Sequence, residues 1–127
     1  MPVEHTYDYA IIRLVPRVER GELINVGVIL SCPAADFLEA RIDLNRSRLL
    51  ALDPALDVDG ARAHLEVIPR VCRGGPEAGE LGALPQRSRF HWLVSPRSTI
   101  IQMSPVHTGR TADPAKALQR LLETMVR

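Results

Sequence analysis

The stretch Tyr7 to Leu30, YDYAIIRLVPRVERGELINVGVIL, constrains the fold more than any other, because two long apolar runs flank a short, highly charged segment. In the first run Ala10, Ile12 and Leu14 alternate with Tyr9, Ile11 and Val15, so both faces of an extended strand are apolar. Such a strand belongs inside a sheet. In the second run, Leu23 to Cys32, the residues Ile24, Val26, Val28 and Leu30 share one face, and Leu23, Asn25, Gly27, Ile29 and Ser31 share the other. Pro16 ends the first strand because it has no amide hydrogen, and Gly21 supplies the positive φ that a return turn uses. The stretch therefore predicts a central hairpin. Closing it symmetrically about Glu19 sets Arg13 opposite Asn25 and Ile11 opposite Gly27, and a slip of one residue would send those side chains to the other face.

Charge is dense around this turn: Arg13, Arg17, Glu19, Arg20 and Glu22. A hairpin tip in water accounts for most of it. Arg13 and Asn25 differ, since both lie on strand positions flanked by apolar residues, where a charge has to be paired or bound. Either Glu19 or Glu22 folds back onto Arg13, or an anionic ligand takes that place. Gly27 permits a close approach to the sheet by a helix or a ligand.

Downstream, Pro33 to Asp36 reads as a turn, and Phe37 to Leu44 alternates, with Leu38, Ala40, Ile42 and Leu44 on the apolar side. Its other face is wet, which places this strand towards an edge of the sheet. Asn45 is an N-cap for a short helix through Leu52, interrupted by Pro54. From Asp57 the period becomes helical through Val58, Ala61, Leu65, Ile68 and Cys72, predicting a helix, capped by Asp57 or Asp59 and running to about Arg73, that Pro69 kinks or ends. Gly74, Gly75, Pro76 and Gly79 mark a loop; no Gly-Lys-Ser or Gly-Lys-Thr follows, so it is not a phosphate loop. Arg89 to Val94 reads as part of a short helix with Phe90 and either Trp92 or Leu93 inward. Thr99 to Met103 is a fourth strand, and Val106 to Gly109 a loop at its end. Asp113 caps a last helix with Pro114 at its first position and a stripe of Leu118, Leu121, Leu122 and Met125, expected to pack beside the Asp57 helix.

Composition excludes several classes. A chain of 127 residues is one domain, large enough to fold without disulfide or metal. A formal net charge of +1 argues against bulk electrostatic binding of nucleic acid, leaving local contact as the weakest functional reading. Cys32 and Cys72 lie far apart in apolar surroundings, which predicts buried free thiols and gives no zinc spacing. No metal or cofactor is expected. No leader pattern or membrane-length apolar run occurs, so the expected location is cytoplasmic.

Between Glu80 and Asp113 there is no acidic residue, while Arg87, Arg89, Arg97 and Arg110 stand there with His91 and His107. If this run converges with Arg13 and Arg17, it forms a basic concavity for phosphate or carboxylate. The expected ligand-binding residues are Arg13, Arg17, Asn25, Arg97, Ser98 and Gln102, the last because an amide among apolar neighbours needs partners. Glu19 and His107 are the weak candidates for acid–base chemistry. Ser98 and Ser104 lack the nucleophile-elbow context of a hydrolase.

Together with RFHWLVSPRSTIIQMSPVHTG, the hairpin sequence closely resembles the bacterial family catalogued as domain of unknown function 3037, over nearly the whole chain. The resemblance implies no activity. Members are often encoded beside a kinase-like protein similar to the persister-toxin kinases, which implies a partner of that kind. The expected architecture is α+β: a two-layer sandwich of about four mostly antiparallel strands with helices mainly on one face. The first functional reading is a non-catalytic partner or regulatory module that binds an anionic ligand or a kinase-like protein; the second is a small enzyme acting on a phosphorylated or nucleotide substrate.

Overall fold

In the computed structural model, which describes residues 3–96 and 99–127, the hairpin is the centre of an antiparallel five-stranded sheet. Strand β1 (His5–Leu14) pairs along one side with β2 (Ile24–Cys32), which in turn pairs with β3 (Phe37–Ile42). Along its other side β1 is long enough to hold two strands. Its residues 12–14 pair with β4 (Ile101–Met103), and its residues 5–9 pair with β5 (His107–Thr111). The α+β architecture and the edge position of β3 are as expected. The segment expected as a loop, Val106 to Gly109, instead lies largely in β5. There the Tyr7 ring packs over Gly109, where a Cβ would come within 2.5 Å of it.

Register near the turn agrees with the symmetric closure, Arg13 lying opposite Asn25 and Leu14 opposite Ile24. Beyond it a β-bulge between Ile12 and Arg13 shifts the pairing. Ile12, not Ile11, lies opposite Gly27, and Ile11 lies opposite Val28. The extra residue on β2 swaps its faces. Val26 and Ile29 therefore join Ala10, Ile12 and Leu14 in one core, while Val28, Leu30 and Cys32 join Tyr7 and Ile11 in another. Gly27 is explained by its own sheet: a Cβ there would sit 2.6 Å from the Arg41 carbonyl oxygen and 2.9 Å from Ile42 Cδ1.

Four helices cover the first core: α1 (Arg46–Leu52), α2 (Val58–Leu65), α3 (Val67–Arg73) and α4 (Gln86–Val94). Their starts follow the sequence, with Asn45 accepting from Arg48 N and Asp57 from Gly60 N. Pro69 splits α2 from α3 at Glu66, because its ring and missing N–H forbid a normal bond to the Leu65 carbonyl one turn earlier. In α4, Phe90 and Leu93 are buried, and Trp92 is 37% exposed. Each fully buried residue of this core, such as Ile12, Leu49 or Leu65, contributes about 1.5–3 kcal/mol by removal from water.

The C-terminal helix, α5 (Pro114–Leu121), lies on the opposite face of the sheet and not beside α2. A strand apolar on both faces requires cover on both, and α5 supplies the second cover. Asp113 caps it by accepting from Lys116 N, and Leu118, Leu121 and Leu122 are buried as the stripe requires. The last turn, Leu122–Val126, is π-helical. Its wider turn advances the inward position by one residue, burying Val126 and leaving Met125 44% exposed.

Candidate functional site

Three polar side chains fall in one row across the sheet. Arg13 lies opposite Asn25 on one side and opposite Gln102 on the other, so all three project from the α5 face. The main-chain bonds Val15 N to Ile100 O and Ser104 N to Ile11 O make Arg13 and Gln102 a hydrogen-bonded pair. Arg13 and Asn25 are then a non-hydrogen-bonded pair, the kind in which facing side chains stand closer. The Asn25 Nδ2 donates to the Met125 carbonyl at 2.9 Å, and Gln102 Nε2 donates to the Thr99 carbonyl at 2.9 Å. What is left is complementary: Arg13 Nε and Asn25 Oδ1 are both shut off from solvent, and neither has a hydrogen-bond partner.

Among the described residues the other half-buried arginines are all engaged. Arg41 donates to Gln119 Oε1 at 2.5 Å. Arg89 donates to the carbonyls of Leu84, Val71 and Cys72. Arg87 donates to Asp8 Oδ2 at 2.5 Å and Ser31 Oγ at 2.9 Å, and lies over the Phe90 ring. Arg13 has no such partner among the described residues. A half-buried guanidinium without a counter-charge carries a desolvation cost that nothing in the described structure offsets.

The remaining candidates do not gather at this row. Arg17 sits on the exposed hairpin tip, 3.9 Å from Asp53, and Arg20 pairs with Glu22. Glu22 is thereby taken, and Glu19 is exposed at the tip, so the fold-back of either acid onto Arg13 is not found. His107 is exposed on β5 with its ring 5.4 Å from that of Tyr9. Tyr9 is five strand positions from Leu14, about 17 Å, which keeps His107 and Glu19 from acting on one atom. Arg97 and Ser98 lie outside the described residues. Nor does the acid-free run converge on Arg13: Arg87 and Arg89 face the other core, and Arg110 stands opposite Thr6 near the far end of β1. The reason is topological, since β5 runs away from the turn.

Sequence reasoning missed a second polar cluster, Asp8, Ser31, Arg87 and Thr108. Asp8 and Ser31 lie opposite each other in the hairpin, and Thr108 opposite Asp8 on β5. Thr108 Oγ1 donates to Asp8 Oδ1 at 2.8 Å. Burial alone would push the Asp8 carboxyl up, but the hydrogen bonds from Arg87 and Thr108 outweigh it and hold it below its ordinary value. The only signal in the sequence was two polar residues at matching places in apolar strands. Ser104, considered as a nucleophile, is structural: its hydroxyl accepts from Ile11 N at 2.8 Å and donates to the Pro105 carbonyl, bridging the gap between β4 and β5. Cys32 and Cys72 are buried free thiols, and burial pushes Cys72 up to about 12, far from reactive.

Among the described residues no group of acidic, histidine or cysteine side chains is placed to hold a metal ion, and no helix is long and apolar enough to cross a membrane. A family model described as protein of unknown function (DUF3037) matches residues 9–126. No curated protein and no solved structure matches the chain.

Proposed function

The chain belongs to the DUF3037 family, and from the geometry of its sheet we propose that it is a non-catalytic partner-binding module that takes an anionic group at Arg13. One observation supports the reading: of the half-buried arginines, Arg13 alone lacks a partner among the described residues, and Asn25 and Gln102 flank it with amides. The unpaired guanidinium suits a carboxylate or phosphate, on a small molecule or on a protein such as the kinase-like partner that the family resemblance suggests; the flanking amides already donate to the Met125 and Thr99 carbonyls, so the charge of Arg13 carries the recognition. An enzymatic role gains no support from the geometry, because Glu19 and His107 stand apart.

The test is nuclear magnetic resonance of the side chains, with acetate and inorganic phosphate titrated against chloride at constant ionic strength. Saturable shifts at the Arg13 Nε–H and the Asn25 amide, absent in Arg13→Gln, are expected for at least one of the two anions. Uniform drift identical to that in chloride would remove the site.

A further inference from the structure

The sheet ends at β4, and its end differs from the opposite one. The β3 edge carries Glu39 and Arg41, with Asp43 just past its end, charges that discourage edge pairing. Strand β4, reading Ile-Gln-Met, carries none. Since Gln102 spends its main-chain groups on Arg13, those of Ile101 and Met103 point away from β1. The Thr99 hydroxyl closes the outward groups of Ile101, accepting from its N–H and donating to its carbonyl at 2.7 Å. Met103 is left with an outward N–H and C=O, and no strand among the described residues pairs with that side of it.

The same strand divides two surfaces. Ile101 and Met103 turn to the face opposite Gln102 and line a cavity of about 400 Å³, whose walls include Val67, Ile68 and Leu93. Val67 and Ile100 on its rim are exposed. Gln102 turns to the Arg13 side. Apolar surface on one side, uncompensated positive charge on the other and unpaired main chain between them match one kind of occupant.

We infer that the outer edge of β4 receives an extended segment of a partner protein as an added strand, with apolar side chains in the groove and, on the alternate position, an acidic side chain directed to Arg13. This deepens the proposed reading of Arg13 and rests on it. Alternation along a strand puts the acid on the Gln102 side whenever its neighbours enter the groove. Two strand spacings, about 10 Å, separate the added strand from β1, a gap that a glutamate and an arginine reaching towards each other span. The two main-chain bonds at Met103 fix register, and the groove supplies most of the affinity.

The probes are blocked pentapeptides Thr-x-Glu-x-Thr, with x valine, isoleucine, leucine, methionine or phenylalanine, titrated into the full chain and followed by amide resonances. At least one is expected to bind, shifting the Met103 amide and the groove residues, and to weaken about tenfold when its Glu becomes Gln. N-methylation of the peptide opposite Met103 removes one main-chain bond and leaves the protein untouched, so it should weaken binding; Met103→Pro removes the outward donor together with a groove side chain and should weaken it further. Binding that survives both changes but fails in Val67→Glu would overturn strand addition in favour of a simple apolar site. Binding of acidic peptides lost only in Arg13→Gln would overturn it too, while leaving the Arg13 reading intact. No binding by any pentapeptide, beside a positive anion titration at Arg13, would overturn the added strand alone; failure of both would overturn both.

Discussion

Strand β1 carries an arginine contact near each of its ends, and the two are opposites. At the Asp8 end, Arg87 arrives from α4 and finds a carboxylate, a buried hydroxyl and an aromatic face. Near the turn, Arg13 projects from the sheet itself and finds two amides whose N–H groups already donate elsewhere, one of them with its oxygen unpartnered. The first is an arginine that fastens a helix to a sheet; the second holds a charge in a half-buried place with no counter-charge among the described residues. Two arginines set against one strand thus differ in whether the described structure supplies their partners, and the proposed reading uses the one it leaves unpaired.

Four measurements can break or sharpen this contrast. The largest effect is expected from Gly27→Val, which drives a side chain into the Arg41 carbonyl at the bulge that sets the row's register. A loss of about 3 kcal/mol in a denaturant melt is expected, with disturbed Asn25 and Arg13 resonances. A cost within experimental error would mean that the bulge adapts easily and that the row is not fixed by it.

Arg87→Met should cost about 1–2 kcal/mol, less than a fully buried pair because its side chain is 40% exposed, and it strands Ser31 and Asp8. Arg13→Met should change stability by less than about 1 kcal/mol and in the opposite direction, since it removes an uncompensated charge. Equal destabilisation in the two variants would erase the distinction. The smallest effect is the pH dependence from Asp8. Its carboxyl is held below the ordinary value in the fold, so its contribution is complete above the unfolded carboxylate range and is lost as pH falls through the lowered folded value. That acid-side slope should flatten in Arg87→Met and stay unchanged in Arg13→Met.

Features carried by local chemistry were legible without coordinates. Asn45, Asp57 and Asp113 cap the helices that follow them, since an N-cap needs only a side-chain oxygen and the next turn of chain. The hairpin and the Arg13–Asn25 pairing followed from apolar runs either side of a turn. The bulge did not, because Val26 to Leu30 is apolar at every position but Gly27, so either phase of alternation satisfies the pattern. Strand β5 was hidden for the opposite reason: HTGRT has no apolar alternation and is a strand because the edge of β1 and the Tyr7 ring recruit it.

The sequence by itself determined that the segments of β1 to β4 are extended, where most helices begin, and that an arginine and an asparagine face each other across the central hairpin. Tertiary structure alone decided that α5 lies on the second face of the sheet, that Gln102 completes the row, and that Arg87 is satisfied where Arg13 is not. The division is physical. Capping, alternation and turn formation depend on neighbours in the chain, whereas a charge is paired or unpaired according to what distant segments bring beside it.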